Sequence, residues 1–272
     1  MSARRVRWEL TLLAYLAAGL MFFPIFWLFL TGFKSEAEAI AIPPRLFFPP
    51  TLESIQEALT RSDYGAHFLN SVISALGSTL LALLLAVPAA YAMAFYPTPR
   101  TQGTLLWMIS TKMMPPVGVI IPVYLIFRDL RWLDNVWALA LMYTVMNLPV
   151  VVWTLYAYFR EVPHEIMEAA RVDGASTAQE MLRVLLPVSG PAIASAALLS
   201  IILAWNETFW SLNLTAAQAS PLSVYVASFK TAEGLFWAKM SAASMIAILP
   251  VLVMGWLAQR QLVRGLTFGA IK

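Results

Sequence analysis

The sequence predicts an all-α, polytopic membrane protein with six transmembrane helices. Three observations carry that prediction. Of 272 residues, 60% are hydrophobic and only 12% charged, against about 45–50% apolar and about 25% charged in soluble domains. So few charged side chains cannot cover the surface that a chain of this length keeps exposed. The apolar residues fall in six runs, at about 8–33, 67–96, 103–127, 136–159, 190–213 and 238–260. Each is at least the roughly 20 residues that cross a ~30 Å hydrocarbon core as helix. The runs are too long for membrane-spanning strands and do not alternate apolar with polar residues. A soluble enzyme is excluded, and 10 Trp, 15 Phe and 9 Tyr exclude disorder.

The first run ends at Gly32-Phe33-Lys34. It is about twice the length of a signal h-region and no small-x-small cleavage site follows, so it is expected to be retained. The second run is long and contains Pro88, so its last turns are expected either to kink or to lie outside the bilayer. Two connections are too long for turns. Residues 34–66 hold Pro43-Pro44, Pro49-Pro50 and an amphipathic stretch from Leu52 to Leu59; residues 160–189 are rich in charge. No tandem repeat divides the chain, so residues 1–272 are expected to form a single transmembrane domain.

Lys and Arg set the orientation. With the N-terminus cytoplasmic, inside segments carry ten of them, including Arg4, Arg5 and Arg7, and outside segments carry seven, with Lys112 inside a span. The triplet before the first helix weighs most, so both termini are expected to be cytoplasmic. Residues 160–189 then lie inside and 34–66 outside. Cysteine is absent, which excludes disulfides and thiolate metal sites.

The 160–189 loop has an unusual composition. Pro163 suits a first helical position. Ile166, Ala169, Ala170 and Asp173 share one face by spacing, and Gly174 follows as a stop. Thr177 and Glu180 stand in capping-box spacing and predict a second helix running to Leu186. These residues fit either an amphipathic hairpin on the headgroups or a docking knob whose small Ala residues admit a partner closely, with Glu168, Arg171 and Asp173 available for pairing. Five of the 15 acidic residues fall in this loop (Glu161, Glu165, Glu168, Asp173 and Glu180). That concentration favours protein docking over lipid binding.

The stretch Glu168-Ala169-Ala170, Gly174 and Val184-Leu185-Leu186-Pro187 resembles the EAA loop of binding-protein-dependent ABC importer permeases. Val184 stands where that family favours Ile. The resemblance implies a type I ABC importer permease fold. It makes the loop a coupling helix that fits a cleft on a cytoplasmic ATPase subunit, with Glu168, Ala169, Ala170, Asp173 and Gly174 as contact and hinge. It extends over nearly the whole chain: Phe47-Phe48-Pro49-Pro50-Thr51-Leu52 and the ending Gly265 to Lys272 are similar to carbohydrate-uptake permeases of the maltose-type second-permease group. Ser110 to Pro116, Ala204 to Glu207 and Gly234 to Lys239 look most like the sorbitol/mannitol, or polyol, branch. The implied partners are a second homologous permease, two ATPase subunits, an extracytoplasmic solute-binding protein, a carbohydrate or polyol substrate, and the lipid of a bacterial inner membrane. Neither a cofactor nor nucleic acid is implied.

Intramembrane polar residues are functional candidates because charge in hydrocarbon is costly. Lys112 lies about nine residues into its run, ~14 Å deep, and Pro115-Pro116 follow, which free backbone carbonyls. It either lines the translocation path, or snorkels or closes a structural pair with a neighbouring helix. Asn206 and Glu207, beside Trp205, Phe209 and Trp210, have the composition that meets hydroxyls and C–H faces of a sugar, although the tryptophans alone fit an aromatic belt. Asn147, before Pro149, suggests an interhelical hydrogen bond first and pore lining second. His67 and His164 lack partners in metal-ligand spacing and are expected to be solvated. No phosphate-binding Gly-rich loop, catalytic triad or His-Glu-x-x-His motif is present. The expected function is therefore permeation of a polyol or sugar driven by ATP hydrolysis on separate subunits. The alternative is an ion-coupled secondary carrier using Lys112 and Glu207.

Overall fold

A computed structural model describes residues 8–231 and 234–267, beyond Trp256 by backbone alone. Arg4, Arg5, Arg7 and the ending Phe268 to Lys272 lie outside the described residues. Helix α1, Trp8–Gly32, fills the first run. Ser35 caps the single turn α2, Glu36–Ala39, by accepting from the Glu38 N–H, and the predicted amphipathic stretch forms α3, Glu53–Thr60. Helix α4, Tyr64–Phe95, continues through Pro88.

The third run is broken. Helix α5, Thr101–Ser110, gives way to 3₁₀ turns at Thr111–Met113 and Pro116–Gly118 before α6, Ile120–Asp129. A proline forces its predecessor out of the helical region, and Met114 and Pro115 are both extended, with ψ of 125°. Helix α7, Val136–Phe159, opens under Asn135, whose side-chain oxygen accepts from the Trp137 and Ala138 N–H groups. Helix α8, His164–Val172, is followed by Gly174 at φ +82°. Helix α9, Thr177–Gln179, passes into a π-helical turn at Glu180–Leu185 and then α10, Leu186–Val188.

The fifth run was expected to be continuous, and it is not. Helix α11, Gly190–Trp205, stops after 16 residues, or ~24 Å, and α12, Phe209–Leu214, restarts beyond Asn206 to Thr208. The Asn206 side chain donates to the Ile202 carbonyl at 2.8 Å, the local competition by which Asn disfavours helix continuation. Helix α13, Leu222–Ala227, leads to a hairpin of β1, Lys230–Thr231, and β2, Gly234–Leu235, paired antiparallel with Lys230 opposite Leu235. Helix α14, Trp237–Thr267, completes the order.

Among the described residues, α1, α4, α7 and the Trp237–Trp256 part of α14 are each long and apolar enough to cross a membrane. The Thr177–Val188 segment and α11, bent by 81° where they meet, pass the same test together. The α5–α6 pair occupies the remaining predicted run.

Among the described residues, two compact units emerge, one from within residues 8–64 and 226–249, the other from within 65–225 and 250–267. In the first, Lys34 is buried; it donates to the Arg45 carbonyl at 2.7 Å and lies over the Trp27 ring at 4.3 Å. Burial lowers its pKa, which Glu38 partly offsets. The Glu36 carboxylate accepts from the Ala238 and Lys239 N–H groups at the start of α14, a charge complementary to that helix terminus. Lys239 pairs with Glu57 at 2.7 Å.

In the second unit, apolar burial gains little against lipid, so close packing must hold the helices together. Small residues supply it. On α4, Ser74, Ser78, Ala82, Ala86, Ala90 and Ala94 recur at every fourth position and are all buried. On α11, Ala192, Ala196, Ser200 and Ala204 repeat the pattern. Thr79 donates to the Ser200 hydroxyl at 3.0 Å and Thr144 to the Ser78 carbonyl at 3.3 Å.

Candidate functional site

Helix α8 divides its residues cleanly. Met167 is buried in a core with Phe95, Leu155, Phe159 and Leu185. The predicted stripe of Ile166, Ala169, Ala170 and Asp173 is not the buried one: Ile166, Ala169 and Asp173 are exposed and Ala170 half-buried. Glu165, Glu168, Ala169 and Val172 instead form one outward face, with Val172 88% exposed. At Gly174 the chain turns through the left-handed region, which glycine adopts without steric cost.

The capping box lies one residue before its predicted position. Ser176 accepts from the Gln179 N–H, and the Gln179 side chain accepts from the Ser176 N–H. Glu180 is thereby free for another task, and it is buried. Arg171 donates to its carboxylate from Nε at 2.9 Å and from Nη2 at 3.2 Å, and the Tyr91 hydroxyl donates to Oε2 at 2.7 Å. The Arg171 hydrogen bonds hold the Glu180 carboxyl below the usual range, with Tyr91 adding to that and burial opposing it. Sequence reasoning assigned Glu180 to a cap and Arg171 to an outside partner. The nine-residue separation across a glycine turn matches no helix spacing, so their pairing had no local signal.

Apart from Asn147, the intramembrane candidates gather at the two helix breaks. Glu207 spans the gap between α11 and α12: its carboxylate accepts from the Trp210 N–H at 3.0 Å, the Ser211 N–H at 3.2 Å and the Ser211 hydroxyl at 3.2 Å. Its backbone carbonyl accepts from Ser223 at 2.7 Å. Buried Tyr143 of α7 donates to the Ser211 hydroxyl at 3.1 Å and extends the network. Trp210 is buried, while Trp205 is half-buried and meets Phe68 edge-on at 6.1 Å. Lys112 is exposed in the turn between α5 and α6, within electrostatic reach of Glu207. Asn147 is buried and donates to the Ser200 carbonyl of α11 at 3.4 Å, the interhelical bond suggested by its setting.

Beyond α12 the chain is clamped. Asp134 accepts from the Ala216, Gln218 and Ala219 N–H groups at 2.8, 3.0 and 2.9 Å. Asn70 donates to the Gln218 carbonyl at 2.7 Å, and the Ser71 hydroxyl accepts from the Leu222 N–H at 2.7 Å. His67 is not simply solvated: its Nδ1 lies 2.8 Å from the Ser220 carbonyl and its ring stacks on Tyr225 at 4.9 Å. Among the described residues no group of His, Asp and Glu could hold a metal ion.

The chain is similar to the diacetylchitobiose uptake system permease DasC of Streptomyces coelicolor, 32% identical over 92% of this chain and 91% of that one. It is 31% identical to the trehalose/maltose transport system permease MalG of Thermococcus litoralis, over 95% and 94% of the two chains. In fold it matches a chain of a bacterial ABC transporter involved in import of the acidic polysaccharide alginate, with a TM-score of 0.75 at 23% identity, covering 96% of this chain and 98% of that one. Residues 82–265, which contain the glycine turn, the buried Glu180 and both helix breaks, match the binding-protein-dependent transport system inner membrane component. The chain belongs to that family: it is a membrane permease component of ABC importers, not an enzyme, and ATP is hydrolysed on a separate subunit.

Proposed function

We propose that this chain is one of two permease subunits of a carbohydrate or polyol importer and that residues 160–189 couple it to the ATPase. The outward face of α8 carries the proposal: Glu168, Ala169, Val172 and Asp173 are exposed while Met167 anchors the helix from behind. Gly174 ends that face in a turn that fixes the direction of the next helix. In this reading the loop and both termini are cytoplasmic, and residues 34–66 and 214–237 receive a solute-binding protein outside. Substrates named for the two relatives, diacetylchitobiose and trehalose or maltose, support a carbohydrate. The polyol assignment rests on the resemblance of Ser110 to Pro116, Ala204 to Glu207 and Gly234 to Lys239 alone.

Lys112 sits at the break in the third run and is the residue proposed to line the path, with Trp205 and Asn206 beside the second break. Glu207 shapes that break, since its oxygens are committed to α12. The same hydrogen bonds leave Glu207 little freedom to serve an ion relay with Lys112. The test of coupling is Glu168→Ala in the assembled importer: transport falls while the chain still inserts, and unchanged uptake refutes the assignment. Ligand binding by the cognate binding protein, across hexitols, pentitols and disaccharides, tests the substrate. Binding of disaccharides alone refutes the polyol branch.

A further inference from the structure

We infer that Glu180 is the joint through which movement of α8 reaches α4, a positioning residue of the transport cycle rather than a fixed staple. The inference rests on the docking role proposed for α8 and adds what happens behind that face. Three elements meet at one carboxylate: Arg171 from the last turn of α8, Tyr91 from the end of α4, and Glu180 itself at the head of the π-helical turn. Arg171 also lies over the Tyr96 ring at 5.0 Å, and the Tyr91 and Tyr96 rings are 5.8 Å apart. The cation therefore meets the aromatic end of α4 directly at Tyr96 and, through the shared Glu180 carboxylate, at Tyr91.

The apolar contacts of α8 tie it to the same core, because Met167 packs in one cluster with Tyr91, Phe95 and Leu185. Such contacts are non-directional. The Arg171 fork, by contrast, fixes two parallel bonds in a plane, and a buried carboxylate cannot abandon its partners for water. A rotation of α8 must then carry Glu180 and the Tyr91 hydroxyl with it or break the array. Glu180 also opens the π-helical turn, and such turns recur where helices serve function. The adjoining 81° bend into α11 gives the turn a second helix to move.

The test uses the assembled importer with its ATPase subunits and cognate binding protein. The readout is the fold by which added binding protein raises ATP hydrolysis, together with the amount of ATPase that purifies with the permeases. Glu180→Gln removes the charge and keeps the shape. It is expected to cut that stimulation about tenfold, the size of an ordinary coupling between sites, while ATPase remains bound. Tyr91→Phe removes one oxygen and no charge; it is expected to weaken coupling less and to add little to Glu180→Gln in the double variant. It supplies the same reading if Glu180→Gln does not accumulate. Native stimulation in both single variants overturns the joint, as does loss of stimulation only in proportion to lost ATPase. Val172→Arg tests the docking face separately: it is expected to release the ATPase, and full retention with native stimulation removes the docking reading and the joint with it.

Discussion

Asp134 Oδ1 accepts a hydrogen bond from the Ala216 N–H at 2.8 Å across 82 residues of sequence. The Gln218 and Ala219 N–H groups converge on the same carboxylate, and the Asp134 N–H donates to the Leu214 carbonyl at 2.9 Å. Asp134 itself has φ of 53°, a left-handed conformation that Asp and Asn enter more readily than other side chains. One residue therefore orders the segment after α12. Asp134→Ala is expected to destabilise this region by about 2 kcal/mol, the usual worth of a charge-assisted hydrogen bond to backbone. Asp134→Asn should lose less, because it keeps one acceptor and the backbone preference. Amide exchange of residues 215–220 is expected to quicken in the order native, Asn, Ala.

The same carboxylate gives a pH dependence whose sign can be worked out. Burial pushes the Asp134 pKa up, but the backbone N–H groups of residues 216–219 outweigh it and hold the group below the usual value. Its folded pKa then lies below the unfolded one, near 3.9. The stabilisation is complete above the unfolded value and is lost as pH falls through the folded value. Glu180, also lowered, acts in the same direction. The thermal midpoint of the purified protein should be flat with respect to these groups from about pH 8 to about pH 5 and should fall below about pH 4. In Asp134→Asn the neutral midpoint drops and the acid-induced fall shrinks. A midpoint that rises on acidification contradicts the assignment.

Gly174 isolates backbone conformation from packing. A Cβ at this position meets nothing within 4 Å, yet φ is +82°. Any loss on substitution therefore reports the left-handed conformation, at roughly 1–2 kcal/mol for an ordinary residue. Transport by the assembled importer is expected to fall in the order Gly, Asn, Ala, Val, because a β-branched residue is the least tolerant of positive φ. Equal transport by Asn and Val variants would show that the turn is not part of coupling.

Most of the architecture was legible because hydrocarbon imposes it. The predicted 136–159 run is the helix Val136–Phe159, and Pro115-Pro116 announced the broken third run. Asn206-Glu207 stood out as polar within the fifth run, but the break there was hidden. A carboxylate that accepts from two backbone N–H groups three and four residues on can end one helix and begin another inside an apolar run. The least legible contacts join residues distant in sequence, as in Asp134 to Ala216 and Tyr91 to Glu180. No periodicity encodes such pairs; only packing brings them together. On α8 the stripe inferred from spacing was rotated, because Met167 rather than Ile166 reaches the core.

Gly32 makes the most specific prediction for the first unit. The apolar window of α1 is unburied, and the buried residues of the helix are Thr31 and Gly32 at its end. A Cβ on Gly32 would stand 3.3 Å from both Cα and N of Ala242. Those are backbone atoms of α14, with no flexible side chain to yield, so the helices can separate only as whole elements. Gly32→Ala is expected to cost about 1 kcal/mol and Gly32→Leu about 3 kcal/mol by overpacking. Gly19, midway along α1, is the control, since a Cβ there meets nothing within 4 Å. The chain contains no cysteine, so Thr31→Cys paired with Ser241→Cys, two residues that line one cavity, offers a cross-linking readout. Cross-link yield should fall from native through Gly32→Ala to Gly32→Leu and stay unchanged in Gly19→Leu. Equal yields across the series would mean that α1 is held by something other than this close approach.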